Sequence, residues 1–204
     1  LYSIQDIWSS NNSSVVTSRV IASIAKNVVE VYQNSSDEDI SEKHLTHPMK
    51  KRLKFDTIKS KRFITKVTNE IISCATLLWK DKVDYNSPVK ADHDTYQKLY
   101  QLSKPKLDYD IIYLDEAQDS SPVVLDILKQ QINVKIVYVG DTFQSIYAFR
   151  QAVNAMDNVT GKTMQLSQSF RYGEAIADVA NFIIDSGTKI KGFDKIYSEV
   201  FNSV

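Results

Sequence analysis

Two carboxylates, Asp115 and Glu116, stand side by side directly after an apolar run, Ile-Ile-Tyr-Leu at 111–114. Adjacent side chains leave an extended backbone in different directions, so such a pair can divide its work between a cation and a water. Magnesium takes oxygen ligands, keeps several waters and is commonly held by one or two carboxylates together with substrate phosphates, which suits Asp115. Glu116 is then placed to orient and polarise an attacking water, as phosphoryl hydrolysis requires. Taken alone, the pair fits an ordinary capping role better; Gln118 and Asp119 on the same loop, and a second polar motif further on, reverse that.

That second motif follows another apolar run, Lys135–Val139, and reads Gly140, Asp141, Gln144, Tyr147, Phe149 and Arg150. The amide of Gln144 can hydrogen-bond a phosphate oxygen or the attacking water. The faces of Tyr147 and Phe149 can stack on unpaired bases, worth about 1–3 kcal/mol per base, and Arg150 can hold a phosphate. The alternative is that Ile146, Tyr147 and Phe149 pack beneath a sheet edge.

The elements that must carry these residues follow from the pattern. Ile111–Leu114 and Lys135–Val139 are short and β-branched, the signature of parallel strands buried on both faces. Between them Ser121 caps a helix with Pro122 in its first turn, running through Val124, Ile127 and Leu128 to about Gln131. Parallel neighbours in a strand–helix–strand unit end on one sheet edge, which places the second motif beside Asp115 and Glu116. A third strand is expected at Thr163–Leu166, before a helix with Ile176, Val179, Ala180, Ile183 and Ile184 on one face. The first half is helical instead. One helix is expected over Ser13–Tyr32, with Val16, Val20, Ile24, Val28 and Val31 along one side, and a second over about Thr57–Asp81, with Ile64, Val67, Ile71, Leu78 and Trp79. The polar stretch Asn34–His44 reads as a loop or short helix, and Pro88 ends a later loop.

Composition bounds the rest. The 204 residues carry 25 Lys and Arg against 25 Asp and Glu, so any polyanion-binding surface must be local. At 43% hydrophobic the chain has material for a core, in one ordinary domain or two small ones. The single cysteine, Cys74, sits in a helical apolar pattern, where packing is its expected role. One cysteine and no secretory leader point to a soluble, intracellular protein, in the nucleus if eukaryotic and the cytoplasm if bacterial. No run reaches the roughly 18 apolar residues of a membrane span, and the start at Leu1 reads as an excised or incomplete chain.

The run Asp-Glu-Ala-Gln-Asp at 115–119 and the run Gly140–Arg150 resemble two motifs of superfamily 1 DNA helicases of the UvrD/Rep kind, one for magnesium and hydrolysis and one coupling nucleotide to single-stranded DNA. Leu166–Asn181 is similar to the segment in which that family has an arginine reaching the terminal phosphate of ATP, here Arg171. Within the family, His93–Pro122 and Phe149–Met156 resemble the F-box DNA helicases most. The resemblance implies an α/β fold: part of a P-loop NTPase (RecA-like) parallel sheet at 105–170, preceded by a helical accessory region at 1–104 and followed at 171–204 by the helical start of a second motor domain. It implies a 3′ to 5′ motor that hydrolyses ATP with magnesium, partnered by single-stranded DNA, duplex junctions and the remainder of the motor. Glu116, Gln144 and Arg171 would be catalytic, Asp115, Gln144 and Arg171 would touch the nucleotide with Asp115 on magnesium, and Tyr147, Phe149 and Arg150 would contact DNA.

Two departures stand out. Gln151 occupies the position after Phe-Arg where the family usually has glycine, and no G-x-x-x-x-G-K-[ST] phosphate loop occurs in the sequence. Gly161-Lys162-Thr163 fails that pattern because Met156 holds the first glycine position. The chain on its own is therefore expected to hydrolyse little ATP, and a noncatalytic nucleic-acid- or protein-binding remnant of a helicase is the alternative. Finally, Lys50, Lys51, Arg52, Lys54, Lys59, Lys61, Arg62 and Lys66 are opposed only by Asp56; they fit a DNA backbone or a solvated helix face. His44, His47 and His93 lack zinc-ligand spacing, and His93 is expected to pack or to contact DNA.

Overall fold

The computed structural model describes residues 4–8, 15–144, 161–184 and 189–193. The chain divides into two compact units, 1–157 and 158–204. In the first, β1 (Ile7–Trp8) pairs antiparallel with β2 (Val15–Val16), and four helices follow: α1 (Ser18–Gln33), α2 (His47–Arg52), α3 (Lys61–Val83) and α4 (His93–Leu102). Then β3 (Ile111–Leu114), α5 (Pro122–Lys129) and β4 (Lys135–Tyr138) form a strand–helix–strand unit.

The helical part is built on α1 crossing α3. Ile21, Ile24, Ala25, Val28 and Val29 of α1 are buried with Phe63, Val67, Ile71, Cys74 and Ala75 of α3. Burying each such aliphatic side chain is worth about 1.5–3 kcal/mol, so this interface dominates the unit's stability. Two expected boundaries are corrected. Helix α1 begins at Ser18, not Ser13, because Val16 is spent in β2, where it is buried against the same core. Its buried stripe therefore runs through Ile21, Ile24, Val28 and Tyr32, while Val20 and Val31 lie at the margin. Helix α3 begins at Lys61, where the Ser60 hydroxyl accepts the Phe63 N–H as an N-cap. Asn34–His44 is a loop closed by a 3-10 turn at Glu42–His44.

Helix α4 has an inverted character. Thr95, Lys98 and Gln101 face inward, whereas Tyr96, Leu99 and Tyr100 are exposed. His93 is exposed too, its ring 6.5 Å from that of Tyr96, which corrects the expectation that it packs. The inward face is held by polar bonds. Gln33 Nε2 donates to Asp92 Oδ1 at 2.8 Å and to Thr95 Oγ1 at 2.7 Å; Lys98 Nζ donates to the carbonyls of Ser35, at 3.0 Å, and Asp37; Gln101 Nε2 donates to Asp126 Oδ2 of α5 at 2.7 Å. Helix α4 thus ties the helical core to the strand–helix–strand unit.

Strands β3 and β4 are parallel, with Leu114 opposite Tyr138. Helix α5 covers one face with Val123, Leu125, Ile127 and Leu128. Burial on both faces is not observed: Tyr113 is 69% exposed, and Ile111 and Val137 are also open. Among the described residues nothing covers that face, since the unit supplies one helix layer to two strands.

In the second unit, β5 (Gln168–Gly173) leads into α6 (Glu174–Ile184), and β5 pairs parallel with β6 (Lys191–Phe193). The strand expected at Thr163–Leu166 is corrected to Gln168–Gly173. Met164 and Leu166 are exposed, and the backbone pairing begins where the Ser167 carbonyl accepts the Lys191 N–H at 2.7 Å. On α6, Ala177 is buried, while Ile176, Val179 and Ile183 of the expected apolar face are exposed. Asn181 holds the backbone of Ile190 at both its amide and carbonyl, each at 2.8 Å. Among the described residues no helix is long and apolar enough to cross a membrane.

Candidate functional site at the strand ends

Because β3 and β4 end at the same level, the loops leaving them are joined at once. The Val139 N–H donates to the Leu114 carbonyl at 2.8 Å, and the Ala117 N–H donates to the Val139 carbonyl at 2.9 Å. Asp115 is exposed at the end of β3, and one of its oxygens, Oδ1, accepts the Glu116 N–H at 3.0 Å. An exposed carboxylate beside a second one fits magnesium, which needs only one or two protein carboxylates with water and phosphate oxygens. Among the described residues no three His, Cys, Asp or Glu side chains gather as a metal cage.

Glu116 adopts a left-handed backbone, φ 50° and ψ 42°. For a residue with a Cβ this costs about 1–2 kcal/mol, and it persists only where the surroundings fix it. Here the Asp119 N–H closes a turn onto the Glu116 carbonyl at 2.9 Å, starting the 3-10 turn Ala117–Asp119. Gln118, only 1% exposed, then reaches both ways: Nε2 donates to Glu116 Oε2 at 2.7 Å, and Oε1 accepts the Asp141 N–H at 3.0 Å. Asp141 in turn accepts the Phe143 N–H at Oδ1, 2.9 Å, and the Gln144 side-chain amide at Oδ2, 2.8 Å.

The predicted residues of the two motifs are therefore brought together in part. Glu116 and Gln144 are joined through Gln118 and Asp141, with Asp115 adjacent. Arg171 lies exposed on β5 in the second unit, its N–H donating to Ser169 Oγ at 3.3 Å. Tyr147, Phe149 and Arg150 lie outside the described residues. Gln118 is the member to which the sequence assigned no role, and a glutamine between two acidic residues carries little signal by itself. Gly140 supplies one, because a Cβ there would stand 2.3 Å from Gln118 Oε1 and 3.1 Å from the Ala117 nitrogen.

The eight cations between Lys50 and Lys66 are all exposed. Met49, Leu53, Phe55, Ile58 and Phe63 anchor the same segment on the helical core, which turns its charged side chains outward. Among the described residues none of the eight is ion-paired; Arg52 Nη1 donates to Ser23 Oγ at 3.1 Å.

Residues 4–164 match the UvrD/REP helicase N-terminal domain. The chain is 37% identical over 175 residues to F-box DNA helicase 1 of Gallus gallus, covering 78% of this chain and 16% of that protein. It is 31% identical over 195 residues to F-box DNA helicase protein 1 of Schizosaccharomyces pombe, covering 89% and 21%. A shorter match, 35% over 91 residues and 37% of the chain, is to 7% of an ATP-dependent helicase/nuclease of Clostridium kluyveri. The chain thus spans about a fifth or less of these relatives, and no solved structure matches it. With the acidic loop and the Gly-Asp loop bonded together at one end of a parallel strand pair, and the family match running from residue 4 to 164, the chain belongs to the UvrD/Rep helicase family through that family's N-terminal domain.

Proposed function

We propose that this chain is part of an ATP-dependent DNA helicase, a 3′ to 5′ motor of P-loop NTPase (RecA-like) fold that moves on single-stranded DNA and opens duplex junctions. The observation that carries this reading is the bonded path from Glu116 through Gln118 and Asp141 to Gln144, which joins a hydrolytic carboxylate to the segment leading into Tyr147, Phe149 and Arg150. The names of the F-box DNA helicases support DNA as the substrate.

In this mechanism Asp115 would hold magnesium, which when bound draws charge from the phosphate oxygens. Glu116 orients a water for attack on the terminal phosphate of ATP, its carboxylate fixed by the Gln118 amide. Gln144 offers its amide to that water or to a phosphate oxygen, while Asp141 sets its position. Arg171, a planar fork of N–H donors, stabilises charge on the transferred phosphoryl group. The residues that grip the phosphates come from the remainder of the motor. Tyr147 and Phe149 stack on bases and Arg150 holds a phosphate. The exposed, unpaired cations of Lys50–Lys66 favour a second contact, to the DNA phosphate backbone, over a merely solvated face.

The test is Glu116→Gln in the full-length protein. ATP binding is expected to persist while DNA-stimulated turnover falls by at least about 100-fold, the scale of a lost general base. Unchanged turnover would remove Glu116 from the mechanism. Stimulation by RNA equal to that by single-stranded DNA would remove the DNA assignment.

A further inference from the structure

We propose that Gln118 is a positioning residue that makes the Glu116 carboxylate and the Gly140–Gln144 loop move as one body, so that strand engagement beyond Gln144 sets the geometry of water activation. The inference rests on Glu116 being the water-orienting carboxylate. Gln118 is given no ligand of its own and acts through Glu116 and Asp141.

Three independent observations meet at this side chain. It is a polar amide with almost no exposure, and both of its ends are hydrogen-bonded. Its two ends are used in opposite senses: the NH2 donates to Glu116 and the carbonyl accepts from the Asp141 backbone. No other natural side chain of this length does both, since glutamate cannot donate when ionised and methionine and leucine can do neither. Gly140 is the third observation. The amide oxygen occupies the space of the missing Cβ, so the glycine is required by Gln118 rather than by its own backbone angles.

The backbone is arranged to make the contact matter. Glu116 is held left-handed, and the closed turn to Asp119 and the Gln118 amide together fix where its carboxylate lies. On the far side, Asp141 is clamped to Phe143 and Gln144, and the chain then passes directly to Ser145–Arg150. A shift of this loop moves the Asp141 N–H, hence the Gln118 amide, hence the carboxylate. Misplacing a reacting group by about 1 Å costs on the order of 100-fold in rate, so a small displacement suffices to gate turnover.

The experiment compares full-length wild type, Gln118→Glu, Gln118→Met and Gly140→Ala in steady-state ATP hydrolysis, with and without oligo(dT). Gln118→Glu keeps an acceptor for the Asp141 N–H but sets a second carboxylate against Glu116. The bond that fixes the Glu116 carboxylate is then lost, and DNA-stimulated kcat is expected to fall about 10- to 100-fold. Gln118→Met breaks both bonds, and Gly140→Ala displaces the amide with a methyl group. In both, DNA-stimulated kcat is expected to fall about 10- to 100-fold with KM for ATP nearly unchanged, and the ratio of stimulated to unstimulated rate to fall toward one. An intact stimulation ratio in any of the three variants that folds overturns the proposal. Glu116→Gln measured alongside separates the two ideas. If it leaves turnover intact, the reading of Glu116 has failed; if it abolishes turnover while the Gln118 variants behave as wild type, only the coupling has failed.

Discussion

Lys98 has no exposure, yet it bears an ammonium group. Burial pushes its pKa down to about 8, and the group is tolerated because its protons go to the carbonyls of Ser35 and Asp37 while the Tyr32 ring lies 4.4 Å away. Lys98→Met should cost about 1–3 kcal/mol, since it leaves two part-buried carbonyls without this donor. Urea unfolding of the chain followed by circular dichroism measures this, and wild-type stability in the variant would show that water replaces the ammonium. His44 belongs to the same cluster. It is buried, accepts the Ser41 N–H at Nδ1, 3.0 Å, and therefore presents Nε2–H to Asp37, 2.9 Å away. Desolvation pushes its pKa below the ordinary value despite that carboxylate, so it is a structural, neutral histidine.

At the scale of elements, α4 and the Lys50–Lys66 segment escape or mislead a hydrophobic reading in opposite ways. Helix α4 buries Thr95, Lys98 and Gln101, so its periodicity points outward, and only the Asp92 cap at its start announces a helix. The basic segment is legible as charge but silent as to use. Eight of the 25 cations and one of the 25 carboxylates fall in its 17 residues, which leaves the rest of the chain acidic by 24 to 17. Changing Lys50, Lys51, Lys54 and Lys61 to Gln in the full-length protein should weaken DNA binding evenly across sequences. The slope of log affinity against log salt should become shallower by about 3 to 3.5, at roughly 0.7–0.9 for each phosphate no longer neutralised. A slope equal to that of the wild type would return the segment to the role of a solvated surface.

At the scale of the molecule, the buried ionisable groups of the first unit set how its stability follows pH. Folded Lys98 titrates near 8 against 10.5 in the unfolded chain, so between those values the unfolded state holds the extra proton and rising pH stabilises the fold. Tyr32 is pushed up to about 12 from 10.0, chiefly by burial and then by Asp39 and Asp37, so above pH 10 the folded state holds the extra proton and rising pH destabilises. Below 6.5 the depressed His44 favours the protonated unfolded chain. Asp92 adds to the loss further down: burial opposes its ionisation, but bonds from Lys82, Thr95 and Gln33 outweigh that and hold it well below the usual carboxylate range. The Cys74 thiol, pushed above its ordinary 9.0 by burial, opposes Lys98 beyond that pH, so urea midpoints are expected to decline below pH 6.5, hold to about 8, rise above it and turn down by about 10. A midpoint that falls steadily from pH 8 to 10 would contradict the assignment of Lys98.

Local signals along the chain encode two β-branched strands with a Pro-started helix between them, two long amphipathic helices, and a pair of acidic and polar motifs whose spacing points to one sheet edge. These were legible because each depends on residues close in the chain. The sequence could not show that α1 yields Val16 to a strand, that the strand expected at Thr163 starts at Gln168, or that Tyr113 and Val137 stay open on one face, because each turns on which distant segment comes to pair or cover. The same holds at the strand ends. Asp115 and Glu116 announce chemistry as residue types, but the amide of Gln118 acquires a role only when Gly140 and Asp141, more than twenty residues on, are folded against it.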